Sequence, residues 1–174
     1  AQLIRDGNIV GWFQGRMEAG PRALGARSIL ADPRVAGMKD KVNKQAKFRD
    51  EWRPFCPSVL ADRADKYFES CYFHPFMILA FQVKKGKVQN IPAVVHIDGS
   101  ARPQMVTENQ NPRYYKMIQH FNELTGIPVV LNTSFNVKGE PIVCSPLDAI
   151  RCFYGTGLDY LAIGDFLLSK EERY

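Results

Sequence analysis

From Asn111 to Leu131 the chain writes a capped helix, a stop and a buried strand in direct succession, and this stretch constrains the fold more than any other. Asn111-Pro112 supplies an N-cap and a first-turn proline. Tyr114, Met117, Ile118, Phe121 and Leu124 then keep the 3.6-residue period of one apolar face, and Gly126 and Pro128 stop the helix. Val129 to Leu131 follows at once as a strand. An apolar helix face of this kind has to be buried on another layer of structure.

The remaining segments supply that layer. Ala1 to Arg5 reads as the last turn of a helix, and Ile9 to Phe13 as a buried strand entering the glycine-punctuated loop Gly15 to Pro21. Asp32-Pro33 is a turn, Ala36 to Phe48 a helix, and Arg53-Pro54 with Cys56-Pro57 an extended segment. A short helix is expected over Leu60 to Phe68, a strand over Phe76 to Val83, a hairpin turn at Lys84 to Lys87 and a strand at Ala93 to Ile97. Ser145-Pro146-Leu147-Asp148 opens a helix that ends near Gly155, and Tyr160 to Leu168 is a final strand. This alternating but irregular order predicts an α/β (α+β) domain with a mixed twisted β-sheet flanked by helices. No repeat or linker divides the 174 residues, so one domain is expected.

Composition narrows the function classes. A hydrophobic share of 45% excludes wholesale disorder, and no apolar run approaches the ~20 residues of a membrane span. A net charge of +5 favours a polyanionic partner, either nucleotide or nucleic acid. Cys56, Cys71, Cys144 and Cys152 form no C-x-x-C pair, and His74, His96 and His120 are scattered, so no metal-ligand set is visible. Free thiols point to a reducing, cytoplasmic setting. The chain starts at Ala1 in mid-element, which reads as an excised piece of a longer polypeptide. The dinucleotide fingerprint G-x-G-x-x-G is absent. Gly15 to Gly20 has P-loop spacing, but Pro21-Arg22 stands where Lys-Ser/Thr is required.

Three polar clusters could carry chemistry. In the first, Gly15 to Ser28, glycines permit close backbone approach while Arg16, Arg22 and Arg27 can fork onto phosphate, unless Arg22 or Arg27 is simply paired to Glu18 or Asp32. The second runs from Arg34 to Arg53. There Lys39, Lys41 and Lys44 read as a solvated helix face, whereas Lys47 and Arg49 fall at the helix end, where two side chains can converge on a polyphosphate. The third, Asn132-Thr133-Ser134-Phe135-Asn136, lies at the carboxyl end of a strand, a common ligand position in α/β sheets. By itself it could equally be a turn satisfying its own backbone. His96 and Asp98 invite an acid/base or metal reading, although a lone strand-end His is more often bonded locally.

These clusters carry a resemblance. The strings G-R-M-E-A-G-P-R-A-L-G-A-R-S-I-L, K-F-R-D-E-W-R-P-F-C-P-S-V-L, H-I-D-G-S-A-R-P-Q and G-I-P-V-V-L-N-T-S-F-N-V-K-G-E-P-I-V resemble the C-terminal domain of O-carbamoyltransferases of the nodulation-U type, from Gly7 to about Ser169. That domain is related in fold to YrdC-like threonylcarbamoyl-adenylate synthases, whose nucleotide site carries a K-x-R and an S-x-N pair. Both are present, as Lys47-Phe48-Arg49 and Ser134-Phe135-Asn136. The resemblance implies a YrdC-like domain that uses ATP, Mg²⁺ and carbamoyl phosphate to make carbamoyl adenylate. It implies Lys47, Arg49 and Arg22 as catalytic cations, Arg102, Asn132, Thr133, Ser134 and Asn136 as the binding wall, and backbone near Met77 as a reader of adenine. It also implies a partner N-terminal domain of sugar-kinase/actin type, holding its own metal, that carbamoylates an acceptor hydroxyl. An apolar patch near Leu3, Ile4 and the loop Arg16 to Gly20 is expected to mark contact with that domain. Two alternatives compete: threonylcarbamoyl-adenylate synthesis for tRNA modification, and an RNA-binding module. The second is disfavoured because Trp52 and Phe55 read as packing residues with no RNP-like motif.

Overall fold

In the computed structural model, which describes residues 1–170, the chain runs α1 (Gln2–Arg5), β1 (Val10–Phe13), β2 (Arg27–Ala31), α2 (Met38–Val42), β3 (Cys56–Leu60), β4 (Phe81–Gln82), β5 (Ser100–Ala101) and β6 (Gln104–Val106). It continues with α3 (Pro112–Thr125), β7 (Val129–Ser134), α4 (Pro146–Tyr154), β8 (Tyr160–Ile163) and β9 (Phe166–Ser169). Seven strands form one mixed sheet in the order β6-β3-β7-β2-β1-β8-β9, and β4 and β5 pair separately. β1/β8 and β3/β6 are parallel; every other neighbouring pair is antiparallel.

Each face of the sheet is covered. Ile4 of α1 and Tyr114, Met117, Ile118 and Phe121 of α3 pack on Val10, Leu30, Leu60, Val106 and Val130. On the opposite face Met38, Val42, Ala149, Cys152 and Phe153 pack on Ile29, Val59, Leu131 and Leu161. The strand directions bring the carboxyl ends of β1, β7 and β8 and the amino ends of β2, β3, β6 and β9 to one rim. Loops leaving that rim can therefore meet although they lie far apart in sequence.

Helix α3 forms as its sequence dictates: the Asn111 side chain accepts from the Tyr114 amide, and Gly126 closes the helix at φ 74°. Several other expectations are revised. The strand over Phe76 to Val83 shrinks to Phe81–Gln82, because Met77 at φ 55° leaves the extended region. The strand over Ala93 to Ile97 is a 3₁₀ turn, Pro92–Val94, with the proline in its first turn, where a missing N–H costs nothing. Lys85–Asn90 is likewise a 3₁₀ turn in place of a tight hairpin, and Ala61–Lys66 another in place of an α-helix. The expected helix Ala36 to Phe48 starts at Met38 and ends as a π-turn, Asn43–Lys47. Tyr160 to Leu168 is two strands folded back at Gly164, φ 58°. β2 was not expected; its polar start, Arg27-Ser28, hides a strand whose five residues are all buried. Ile4 is only 2% exposed in the core, so the apolar patch expected around α1 does not include it.

Candidate functional site

The π-turn Asn43–Lys47 rotates the chain so that Lys47 enters the protein, 4% exposed, at the rim end of β7. Its Nζ donates to the carbonyls of Ser134 and Asn136, both at 2.8 Å, and to Asn136 Oδ1 at 2.6 Å, with Ser134 Oγ 3.3 Å away. Ser134 Oγ in turn donates to Asn136 Oδ1 at 2.7 Å. Burial lowers the Lys47 pKa to about 7, and the Arg49 guanidinium pushes the same way. The surrounding oxygens oppose that fall by bonding the charged form. The fold thus joins the K-x-R and S-x-N segments through one ammonium group.

Arg49 lies half-buried beside this group. Its Nε donates to Asn43 Oδ1 at 2.7 Å and its guanidinium lies 4.7 Å from the centre of the Phe55 ring. Arg102 Nη2 contacts Cys56 Sγ at 3.1 Å, and Cys56 is the cross-strand partner of Asn132. The Nε atoms of Arg22 and Arg102 are buried without a hydrogen-bond partner among the described residues. An anion would satisfy such donors. Arg22 rides on a loop held by Glu18, whose carboxylate accepts from the amides of Leu24 (2.7 Å), Ala26 (3.0 Å) and Arg27 (3.1 Å). Burial raises the Glu18 pKa despite those bonds.

Asn132 is 1% exposed. Its amide nitrogen lies within hydrogen-bond reach of Ala23 O, Ser58 Oγ and Gln104 Oε1, so it is built into the sheet interior. Thr133 is partly exposed opposite Ile29 on β2. Met77 is buried and lines neither of the two cavities described below. The structure therefore brings Lys47, Ser134 and Asn136 into direct contact, puts Arg49 beside Lys47, and sets Arg102 against the strand next to Asn132.

Other residues resolve differently from their first reading. Arg27, 3% exposed, pairs with no carboxylate among the described residues: it stacks 3.6 Å over Phe13 and donates to the carbonyls of Gln14, Gly15 and Ala26. The partner of Asp32 is Arg34, at 2.6 Å. Lys41 is not simply solvated, since its Nζ donates to Gly7 O at 2.9 Å and lies 3.6 Å from Asp159. His96 Nδ1 is 3.2 Å from Ser100 Oγ, which donates to Asp98, a locally bonded turn. No group of three or more His, Cys, Asp or Glu among the described residues could hold a metal ion. No helix among them is long and apolar enough to cross a membrane. Gln104, Ser58, Cys56 and Phe48 were not singled out from sequence; only their rim positions give them interest.

Beside Lys47, a cavity of about 620 Å³ has a mixed lining, with Phe48, Val137 and Ile142 alongside Glu140, Asp148 and Arg151. A second, of about 680 Å³, lies by Gln14, Arg16, Glu18 and Gln104. A buried ammonium and unsatisfied arginine donors at this rim form an arrangement that can hold an anionic group.

Comparison with known proteins places this arrangement in context. The family described as "Carbamoyltransferase C-terminus" matches residues 1–170. The chain is 49% identical over 173 residues to nodulation protein NolNO of Sinorhizobium fredii, covering 98% of this chain and 25% of that protein. It is 47% identical over 171 residues to an uncharacterised protein of Methanocaldococcus jannaschii, covering 98% and 28%. It thus spans little more than a quarter of the length of these relatives. Its fold is that of P. abyssi Sua5 complexed with L-threonine (TM-score 0.63, 14% identity, 94% of this chain and 45% of that one). Full-length HypF in a phosphate- and nucleotide-bound form is similar too (TM-score 0.59, 14% identity, 94% and 24%).

Proposed function

Because the chain belongs to the carbamoyltransferase C-terminal family, we propose that it binds ATP and carbamoyl phosphate and forms carbamoyl adenylate. The observation that carries this reading is the Lys47 ammonium, buried and shared between Ser134 and Asn136 at the sheet rim. In the reaction, water releases phosphate from carbamoyl phosphate to give carbamate. A carbamate oxygen then attacks the α-phosphorus of ATP, the bond to the bridging oxygen breaks, and pyrophosphate leaves with its electron pair. Negative charge builds on the phosphoryl oxygens during that step. Lys47 and Arg49, held by their own hydrogen bonds and burial, and Arg22, whose buried Nε is left free to donate, would stabilise it. Arg102 and the hydroxyls and amides of Thr133, Ser134 and Asn136 would orient the nucleotide and carbamoyl group, with Asn132 supporting the wall from within the sheet. Mg²⁺ would arrive on the triphosphate rather than in a protein cage. The HypF neighbour, solved with phosphate and nucleotide, supports a nucleotide for this fold.

Passing the carbamoyl group to an acceptor hydroxyl would fall to the N-terminal domain of sugar-kinase/actin type that the resemblance implies; the relatives, of which this chain covers 25–28%, are long enough to hold one. The test is isotope exchange between pyrophosphate and ATP. It should depend on carbamoyl phosphate and vanish in Lys47→Ala. Exchange supported by threonine and bicarbonate instead would favour threonylcarbamoyl-adenylate synthesis, a second reading prompted by the L-threonine complex of the Sua5 neighbour. No exchange with either substrate set would sink both readings.

A further inference from the structure

Arg22 sits in a stretch of chain that the sheet does not hold. The ladder of β1 with β2 runs out at Gln14 and Ala26, and among the described residues no backbone-to-backbone hydrogen bond reaches Arg16 to Pro21. Side chains hold the loop instead, from two sides. Glu18 folds back across it: Oε1 accepts from the amides of Leu24 and Ala26 and Oε2 from the amide of Arg27, so that Arg22 lies inside the ring this closes. Opposite, the successive carbonyls of Ala23, Leu24 and Gly25 accept from Asn132 Nδ2 at 3.0 Å, Gln104 Nε2 at 2.7 Å and Trp12 Nε1 at 2.8 Å. Gln104, 5% exposed, is itself fixed, because its Oε1 accepts from Ser58 Oγ at 2.7 Å. Backbone groups that have no ladder to join are thus claimed by side chains of β1, β6, β7 and the loop itself.

We propose that Glu18 is a positioning residue which, with Gln104 opposite, fixes the Arg22 guanidinium for a phosphate group. The inference rests on the reading that Arg22 stabilises charge on the phosphoryl oxygens, and adds what aims it. The geometry favours aiming over a purely structural clasp. Glu18 stands four residues before Arg22, and an ion pair between the two would satisfy both locally, yet none forms among the described residues. The carboxylate goes to backbone amides, while Arg22 Nε stays buried without a partner among those residues. A buried donor left unpaired is unfavourable by itself. It becomes favourable once an anion accepts from it, and a loop free to turn would lose that orientation by pairing Arg22 elsewhere. Holding the backbone from both sides prevents the turn, so the guanidinium is already placed when charge builds.

The test asks whether Glu18 acts through Arg22. Exchange of pyrophosphate into ATP, dependent on carbamoyl phosphate, would be measured on the intact natural polypeptide carrying this chain. The proteins are wild type, Glu18→Gln, Gln104→Met and Ser145→Ala, with Glu18→Gln and Gln104→Met also made in an Arg22→Ala background. Glu18→Gln sets an amide donor against a backbone N–H that the carboxylate held. It should lower the saturated exchange rate at least about tenfold, toward the ~10²-fold that a misplacement of about 1 Å can bring, with the KM for ATP within about threefold. In the Arg22→Ala background the same change should alter the rate less than about twofold, because no guanidinium is left to aim. Gln104→Met, which removes the donor to Leu24 O, should repeat this pattern. Ser145→Ala, which loosens the cap of α4, should lower the melting temperature and leave exchange unchanged, so lost stability alone does not produce the pattern. Equal losses from Glu18→Gln with and without Arg22, an unchanged rate, or a raised KM at an unchanged rate would overturn the proposal. An Arg22→Ala protein with wild-type exchange would remove Arg22 from the reaction and the proposal with it. A wild type without exchange would instead remove the adenylate reading on which it rests.

Discussion

Lys47 concentrates the electrostatics of the site, and its titration makes a signed prediction. Only the ammonium form attracts phosphate, and burial brings its pKa to about 7 in the free protein. Bound phosphate restores the charged form to higher pH, so affinity should be flat below about 7 and fall by up to a decade per unit as the pH rises beyond it. Calorimetric titration with tripolyphosphate from about pH 6 to 9 would show this, and Lys47→Arg should flatten the profile because guanidinium stays charged. The same shift bears on folding. The unfolded lysine holds its proton up to about 10.5, so between about 7 and 10.5 the unfolded state binds more protons, and stability contributed by this group rises with pH across that window. Alanine variants should rank clearly in pyrophosphate exchange. Lys47→Ala should cost about 2.7–4 kcal/mol of transition-state stabilisation and Ser134→Ala about 0.5–1.5. Lys41→Ala, which loses only its ties to Gly7 and Asp159, should melt earlier yet exchange normally. At this scale the sequence pointed to Lys47, Ser134 and Asn136, and the fold brings the three into contact. It could not show that Asn132 is consumed inside the sheet or that Phe48 is the one turned out, because both depend on neighbours far along the chain.

Local elements were legible where a short-range signal decides them. Helix α3 has its cap, period and stop within one stretch, and α4 has the Ser145–Asp148 capping box written in sequence. Replacing Ser145 by Ala should cost about 1 kcal/mol, read as a lower denaturant midpoint without loss of exchange activity. Elements set by pairing were harder to read. β2 lies between β1 and β7 and is a strand because both neighbours bond to it, not because Arg-Ser-Ile-Leu-Ala advertises one. Phe76 to Ala80 is apolar enough for a strand yet finds no partner, so propensity goes unused. The loop entering β2 meets α3 at Gly25, φ 103°, where an added Cβ would stand 2.2 Å from the Tyr114 ring. Gly25→Ala should therefore destabilise by about 3 kcal/mol or more, combining overpacking with backbone strain, and should disturb the loop that carries Arg22. A Gly25→Ala protein with an unchanged midpoint would show that α3 and the loop are looser than described.

For the whole molecule, the proposed nucleotide site predicts linkage between ligand and stability. ATP at about 100 times its Kd should add about 2.7 kcal/mol, seen as a rise in melting temperature, and Lys47→Ala should abolish most of that rise. Residues 1–174 expressed alone should form the adenylate slowly without carbamoylating an acceptor, and transfer by this region alone would place the acceptor site here instead. By itself the sequence determined the domain class, the helix faces, the family and the residue types of the site, because these are written in local periods, turn chemistry and long ordered motifs. Tertiary structure alone decided the strand order, the meeting of Lys47 with Ser134 and Asn136, and the side to which each cation turns. The physical reason is range. A cap or an amphipathic period is settled within a few residues, whereas a buried charge is tolerated only where distant segments close around it with the oxygens it needs.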